Sequence, residues 1–255
     1  MTSLASGMRL LAASVLAVLA ACSAPLGDNG KASMTPDSRL RVAEAAERSG
    51  DRELAASMYV AAVEEAPSDN VVLERAAEGL ARNGQLDEAA ALLRQRIVGR
   101  PVQPDLLRTL GAIEVLAGQP AQAEAAFSEA LAANPDDVKA MTDDGIALDL
   151  EHRHAEAQAM YRKALGLAPG DPEISNNLAL SLALSGQMRE ARRVLLPFRD
   201  ATNVPERVRI NLGILEAAGG NDAEAQKLLA GTVDPTGLAM LTRAMETGGR
   251  NNAKP

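Results

Sequence analysis

Apolar positions along this chain recur with a long, fixed period. Alanines stand at Ala55, Ala89, Ala123, Ala157, Ala191 and Ala225, each 34 residues after the last. Four residues after each comes a bulky side chain: Tyr59, Leu93, Phe127, Tyr161, Leu195 and Leu229. A second series, five residues before the alanines, reads Gly50, Gly84, Gly118, His152, Gly186 and Gly220. A third, twelve residues after them, reads Pro67, Pro101, Pro135 and Pro169. The pattern predicts two helices per period, joined by a tight turn.

Each series has a physical reason. Glycine suits the left-handed conformation that ends the first helix. Alanine in the second helix lets the paired helices approach closely, and its partner series on the first helix is also small: Ala43, Ala77, Gly111, Gly145, Ala179, Gly213. The bulky series fills the space between neighbouring units. It contains three of the four aromatic residues in the chain, which therefore read as core more readily than as a ligand-stacking surface. Proline ends the second helix. Two residues later Asp69, Asp137 and Asp171 are placed to cap the next helix, whereas Gln103 offers a weaker cap.

A 34-residue period with these columns resembles the tetratricopeptide repeat (TPR). The resemblance implies an all-α fold: a right-handed superhelical solenoid of six TPR helix-turn-helix units at 36–69, 70–103, 104–137, 138–171, 172–205 and 206–239. Residues 237–246 (GLAMLTRAME) read as a capping helix, and 247–255 as a disordered tail.

Units four and five break the pattern. Asp144 occupies a column otherwise held by Val42, Ala76, Leu110, Leu178 and Leu212, so either its helix rotates or the carboxylate finds a donor. His152 replaces the turn glycine and lies two residues from His154; no cysteine or third histidine is there to complete a metal site, although carboxylates could, and on an exposed turn the pair reads as solvated. Pro197 falls inside the second helix of unit five and should kink or stop it.

Composition narrows the function. Apolar residues make up 47% of the 255 and aromatics 2%, with no tryptophan, which suits an Ala/Leu-rich helical core and not a ring-lined cavity. The net charge is −8 and no basic stripe is present, which argues against nucleic acid as a partner. No phosphate loop, no plausible Ser/His/Asp arrangement and no spare cysteine point to catalysis, so the chain reads as a non-enzyme without cofactor, metal or small-molecule substrate.

The single cysteine, Cys22, follows a charged start at Arg9, a short apolar run from Leu10 to Leu19, and Leu19-Ala20-Ala21. This resembles a bacterial lipobox. It implies a lipoprotein signal peptide over 1–21, lipidation at Cys22, and a flexible tether over 22–35. Ser23 in place of aspartate implies sorting to the outer membrane of a Gram-negative cell, facing the periplasm.

The surface open to partners is the concave face, lined mainly by first helices. Its sixth, ninth and thirteenth positions per unit change character along the stack. Units one and two carry Arg41, Arg75, Arg48 and Arg82 among Glu44, Glu47 and Glu78. Units four to six carry Ile146, Leu150, Leu180, Leu184 and Ile214, with Asn176, Asn177 and Asn211 between them. Aliphatic anchors with side-chain amides suit a peptide-binding groove. The same residues could instead only pack adjacent repeats.

Lipobox, tether and repeat stack together resemble the TadD-type lipoproteins of tight-adherence (Flp) pilus systems. The resemblance is most specific in Asp171 to Gly186 (DPEISNNLALSLALSG) and Pro205 to Gly213 (PERVRINLG). It implies a protein-binding scaffold for a pilus secretion machine, pilotin-like toward the outer-membrane secretin or docking other pilus-assembly subunits. The alternative is a general cell-envelope scaffold serving outer-membrane protein assembly or a cell-wall enzyme complex.

Overall fold

The computed structural model describes residues 34–99 and 101–231. The expected signal peptide, Cys22, the capping helix and the tail lie outside the described residues. Within them are twelve α-helices and no strand: α1 Pro36–Ser49, α2 Arg52–Glu65, α3 Asn70–Arg82, α4 Leu86–Ile97, α5 Pro104–Leu116, α6 Pro120–Ala133, α7 Val138–Leu150, α8 His154–Leu167, α9 Pro172–Leu184, α10 Met188–Leu195, α11 Glu206–Ala218 and α12 Asp222–Leu229.

Consecutive helices pair into six hairpins, and every helix of the first five also packs on the next hairpin. Each odd-numbered helix touches the next odd-numbered one, while the even-numbered helices make no comparable contact with each other. The odd helices therefore form the crowded inner layer of an α-solenoid, and the even helices its outer layer.

The turn series enforces this hairpin geometry. Gly50, Gly84, Gly118, Gly186 and Gly220 all have φ between 70° and 86°. His152 occupies the same position at φ 61°, the one non-glycine residue with positive φ among those described. At the start of the first helices, Asp69 accepts from the amides of Val71 and Val72, Asp137 from Ala140, and Asp171 from Glu173 and Ile174. Gln103 makes no side-chain cap bond to α5.

All six alanines of the repeating series are completely buried. The small residues opposite them accept the bulky ones at van der Waals limits. A Cβ on Gly111 would lie 2.6 Å from the Phe127 ring, on Gly145 2.5 Å from Tyr161, and on Gly213 2.7 Å from Leu229. The aromatic rings are thus core, since Tyr59, Phe127 and Tyr161 are all buried. There are two main apolar blocks, one running from Leu40 to Ala126 and one from Met141 to Leu228, and Ala123, Phe127 and Ala147 form a small cluster of their own.

The breaks at Pro197 and Asp144 have structural consequences. The helix α10 stops at Leu195, and Leu196–Phe198 continues as a single 3₁₀ turn, because Pro197 cannot supply an amide to extend the α-helical ladder. Asp144 neither turns outward nor meets a donor: it is buried, and its Oδ1 has no hydrogen-bond partner. Burial first, then the carboxylate of Glu124, pushes its carboxyl up to about 6 against the pull of Arg153.

Candidate peptide-binding groove

Residues three and four apart share one face of a helix. Each inner helix therefore turns its sixth, ninth and thirteenth positions the same way. On α7, α9 and α11 this stripe borders an open groove of about 730 Å³, lined among others by Asp143, Ile146, Ile174, Asn177 and Leu180.

Of the eight expected groove residues, five line this cavity: Ile146, Asn176, Asn177, Leu180 and Asn211. Leu150 and Leu184 stand at the end of the same stripes, 52% and 67% exposed, and Ile214 is half-buried outside the lining. The asparagines divide into two kinds. Asn176 is buried, and its Oδ1 accepts a 2.7 Å hydrogen bond from Asn211 Nδ2, so this pair ties unit five to unit six. Asn177, one residue on and turned by a third of a helical turn, is half-buried and makes no side-chain hydrogen bond among the described residues. Of the two sequence readings, packing accounts for Asn176 and Asn211, while the Asn177 amide is left available.

The sixth-position register of the inner face also contains Asp143, which lines the cavity although it is not among the eight expected binding residues. Burial holds its carboxyl above the usual range, outweighing the attraction of Lys139 and Arg108. Lys139, Glu173 and Arg207 also border the groove. Arg207 pairs with Glu173, joining α11 to α9.

In the amino-terminal half the charges satisfy each other. Arg75 donates to Glu44 at 2.7 Å and Asp37 at 3.2 Å, and Arg82 donates to Glu47 at 3.0 Å. The Tyr59 hydroxyl donates to Glu47 at 2.7 Å. Burial and that carboxylate push the hydroxyl up to about 12, so it stays a donor. Of the Arg and Glu residues expected to give this half its charged character, Arg75, Arg82, Glu44 and Glu47 are therefore staples between units one and two, whereas Arg41 pairs with Asp37 on its own helix.

A polar cluster joins units four and five. Asp149 Oδ1 bonds His154 Nδ1 at 2.8 Å and accepts from Ser181 Oγ at 2.7 Å, while Oδ2 accepts from the Tyr161 hydroxyl at 3.1 Å. Although Ser, His and Asp meet here, Ser181 is fully buried and donates to the carboxylate, so it is not aligned as a nucleophile against the imidazole. No group of three or more potential metal-binding side chains occurs among the described residues.

The arrangement defines an α-solenoid whose inner helices line an open groove. Family models described as tetratricopeptide repeat match residues 40–104, 110–172 and 150–206. The chain belongs to the tetratricopeptide repeat family, whose fold is typically a non-catalytic scaffold for protein interactions. A search of curated proteins finds no match. Among solved structures it is similar to a tetratricopeptide repeat protein of Parabacteroides merdae, at 14% identity over 86% of this chain and 87% of that one, with a TM-score of 0.64. It is also similar to PilW, described as a widely conserved type IV pilus biogenesis factor, at 21% identity over 76% and 90%, with a TM-score of 0.64. A third is pilF of Pseudomonas aeruginosa, at 16% identity over 84% and 97%, with a TM-score of 0.60. At these identities the likeness shows the fold.

Proposed function

We propose that this protein is a non-catalytic scaffold that holds segments of partner proteins in the carboxy-terminal half of its groove. In this reading it is anchored through lipidated Cys22 to the outer membrane and faces the periplasm. There it supports assembly of a tight-adherence (Flp) type pilus machine, in a pilotin-like role toward the secretin. The groove over α7, α9 and α11 carries the binding part of the proposal, with the unengaged amide of Asn177 beside the aliphatic Ile146 and Leu180. The lipobox-like Leu19-Ala20-Ala21-Cys22 supports the anchor, and the segments Asp171 to Gly186 and Pro205 to Gly213 support the pilus setting. The fold shared with PilW, a pilus biogenesis factor by its description, is consistent with that setting.

Deletion of the gene should abolish surface pili while the cells stay viable. Normal piliation would overturn the pilus assignment, and essentiality or septal localisation would favour a general envelope scaffold instead. A Cys22→Ser variant should leave the outer-membrane fraction; unchanged fractionation would refute the anchor. Replacing Asn177 with alanine should weaken partner capture in pull-downs without unfolding the protein. Unchanged capture would remove the groove from the proposal.

A further inference from the structure

The sixth positions of the inner helices form a row along the concave face: Arg41, Arg75, Thr109, Asp143, Asn177 and Asn211. Four of them are tied down. Arg41 bonds Ser38, Arg75 bonds Glu44 and Asp37, Thr109 donates to Glu74 at 3.0 Å, and Asn211 donates to Asn176. Only Asp143 and Asn177, neighbours on α7 and α9, make no side-chain hydrogen bond or ion pair among the described residues. They are the two unspent polar groups in this row, and both line the same groove.

The next two positions of each stripe are aliphatic: Ile146 and Leu150 on α7, Leu180 and Leu184 on α9. With a rise of about 1.5 Å per residue, the aliphatic track lies roughly 5–10 Å from the polar one along the helices. An extended chain crossing α7 and α9 between the tracks turns alternate side chains to opposite sides. One set then meets Asp143 and Asn177, and the other meets the aliphatics.

Charge selects the polar set. The Arg207 guanidinium is paired with Glu173, and Asp171 is engaged in capping α9. Lys139 is exposed, one turn before Asp143, and makes no ion pair with it. An ionised carboxylate can only accept hydrogen bonds. Lys139 and Arg108 attract Asp143 from beyond ion-pair distance, and Arg108 is itself paired with Glu74 and Asp137, so Asp143 has no ion-pair partner of its own.

We propose that the groove takes an extended partner segment in which lysine or arginine alternates with aliphatic residues, the cation bonding Asp143 and the backbone bonding Asn177. The proposal rests on the groove reading above and assigns the chemistry of its occupant.

Fluorescence-polarisation titrations of the intact protein at low salt would test it. The probes are three labelled ten-residue peptides of alternating valine and X, with X as lysine, glutamate or serine. The lysine peptide is expected to bind about tenfold or more tightly than the glutamate peptide. Asp143→Lys is expected to reverse that order, and Asn177→Ala to weaken whichever peptide binds. Should Asp143→Lys melt early, Asp143→Asn serves in its place and should erase the preference. Equal binding of the lysine and glutamate peptides overturns the cation assignment and leaves the groove reading standing. Failure of all three peptides overturns this inference, and the groove reading is then decided separately by partner capture with Asn177→Ala.

Discussion

Gly79 lies directly against the ring of Tyr59, so closely that a Cβ there would come within 2.1 Å of Tyr59 Cζ. The contact crosses from unit one to unit two, and the 34-residue register repeats it. Leu93 of unit two corresponds with Ile113 of unit three, Phe127 with Ala147, Tyr161 with Ser181, and Leu195 with Leu215. An aromatic residue is met by Gly, Ala or Ser, and a leucine by Ile or Leu. Phe127 and Ala147 share one apolar cluster, while Leu93 with Ile113, and Leu195 with Leu215, share the two larger blocks. The larger the first side chain, the smaller the residue that meets it, as close packing favours.

Gly79→Ala should therefore destabilise the protein, although alanine favours helix by about 1 kcal/mol. Overpacking is expected to outweigh that gain and leave a net loss of about 1–3 kcal/mol. Adding Tyr59→Leu makes room for the new methyl group. A double-mutant cycle read by urea unfolding should show the two substitutions strongly coupled. Additive effects would refute the volume rule.

This relationship shows which features of the fold were legible in the sequence. The turn series and the Ala–bulky series each answer a requirement inside one unit, so they align in columns. The Tyr59–Gly79 rule joins different columns of successive units and varies in residue type, so no single column displays it. The groove was partly legible for the same reason. Register placed Ile146, Asn177 and Leu180 on the inner face. It could not separate Asn176 from Asn177, because their division depends on whether Asn211 reaches back across the unit boundary. Register also put Asp143 in the sixth-position row of the inner face, but only the packing of α7 shows it half-buried and bordering the groove.

Asp144 should make stability depend on pH. Its carboxyl sits at about 6 in the fold against an ordinary 3.8. The folded state thus binds the proton more tightly than the unfolded chain does. The carboxyl's favourable share of stability is fully present below about pH 4 and is lost as pH rises through about 6. The gap corresponds to about 3 kcal/mol. Asp144→Asn keeps the shape but cannot ionise. Its stability relative to the parent should rise by an amount of that order between pH 4 and pH 7.5, measured by chemical denaturation. A difference that stays flat with pH would show that Asp144 is not held protonated.

The two kinds of asparagine should separate by experiment. Asn211→Ala removes a hydrogen bond and leaves the Asn176 amide buried without a partner. A loss of about 1–2 kcal/mol is expected in urea unfolding. Asn177→Ala removes no internal bond and should change stability by less than about 0.5 kcal/mol. Partner capture should respond to Asn177→Ala even so. Equal destabilisation by both substitutions would mean that Asn177 also serves the packing between units.

His152 offers a final test of the turn series. Its φ of 61° lies where the other five units place glycine. A side chain in the left-handed region costs about 1 kcal/mol or more through the clash of Cβ with the backbone. Glycine removes that clash but loses more chain entropy on folding, which returns part of the gain. The His152 ring meets that of His154 edge-on at 5.9 Å, whereas the bond that fixes His154 comes from Asp149 and does not involve His152. Steric relief should therefore prevail, and His152→Gly is expected to raise stability by about 0.5–1 kcal/mol, seen as a higher melting temperature. A lower melting temperature would mean that His152 contributes more through its ring than the left-handed backbone costs it.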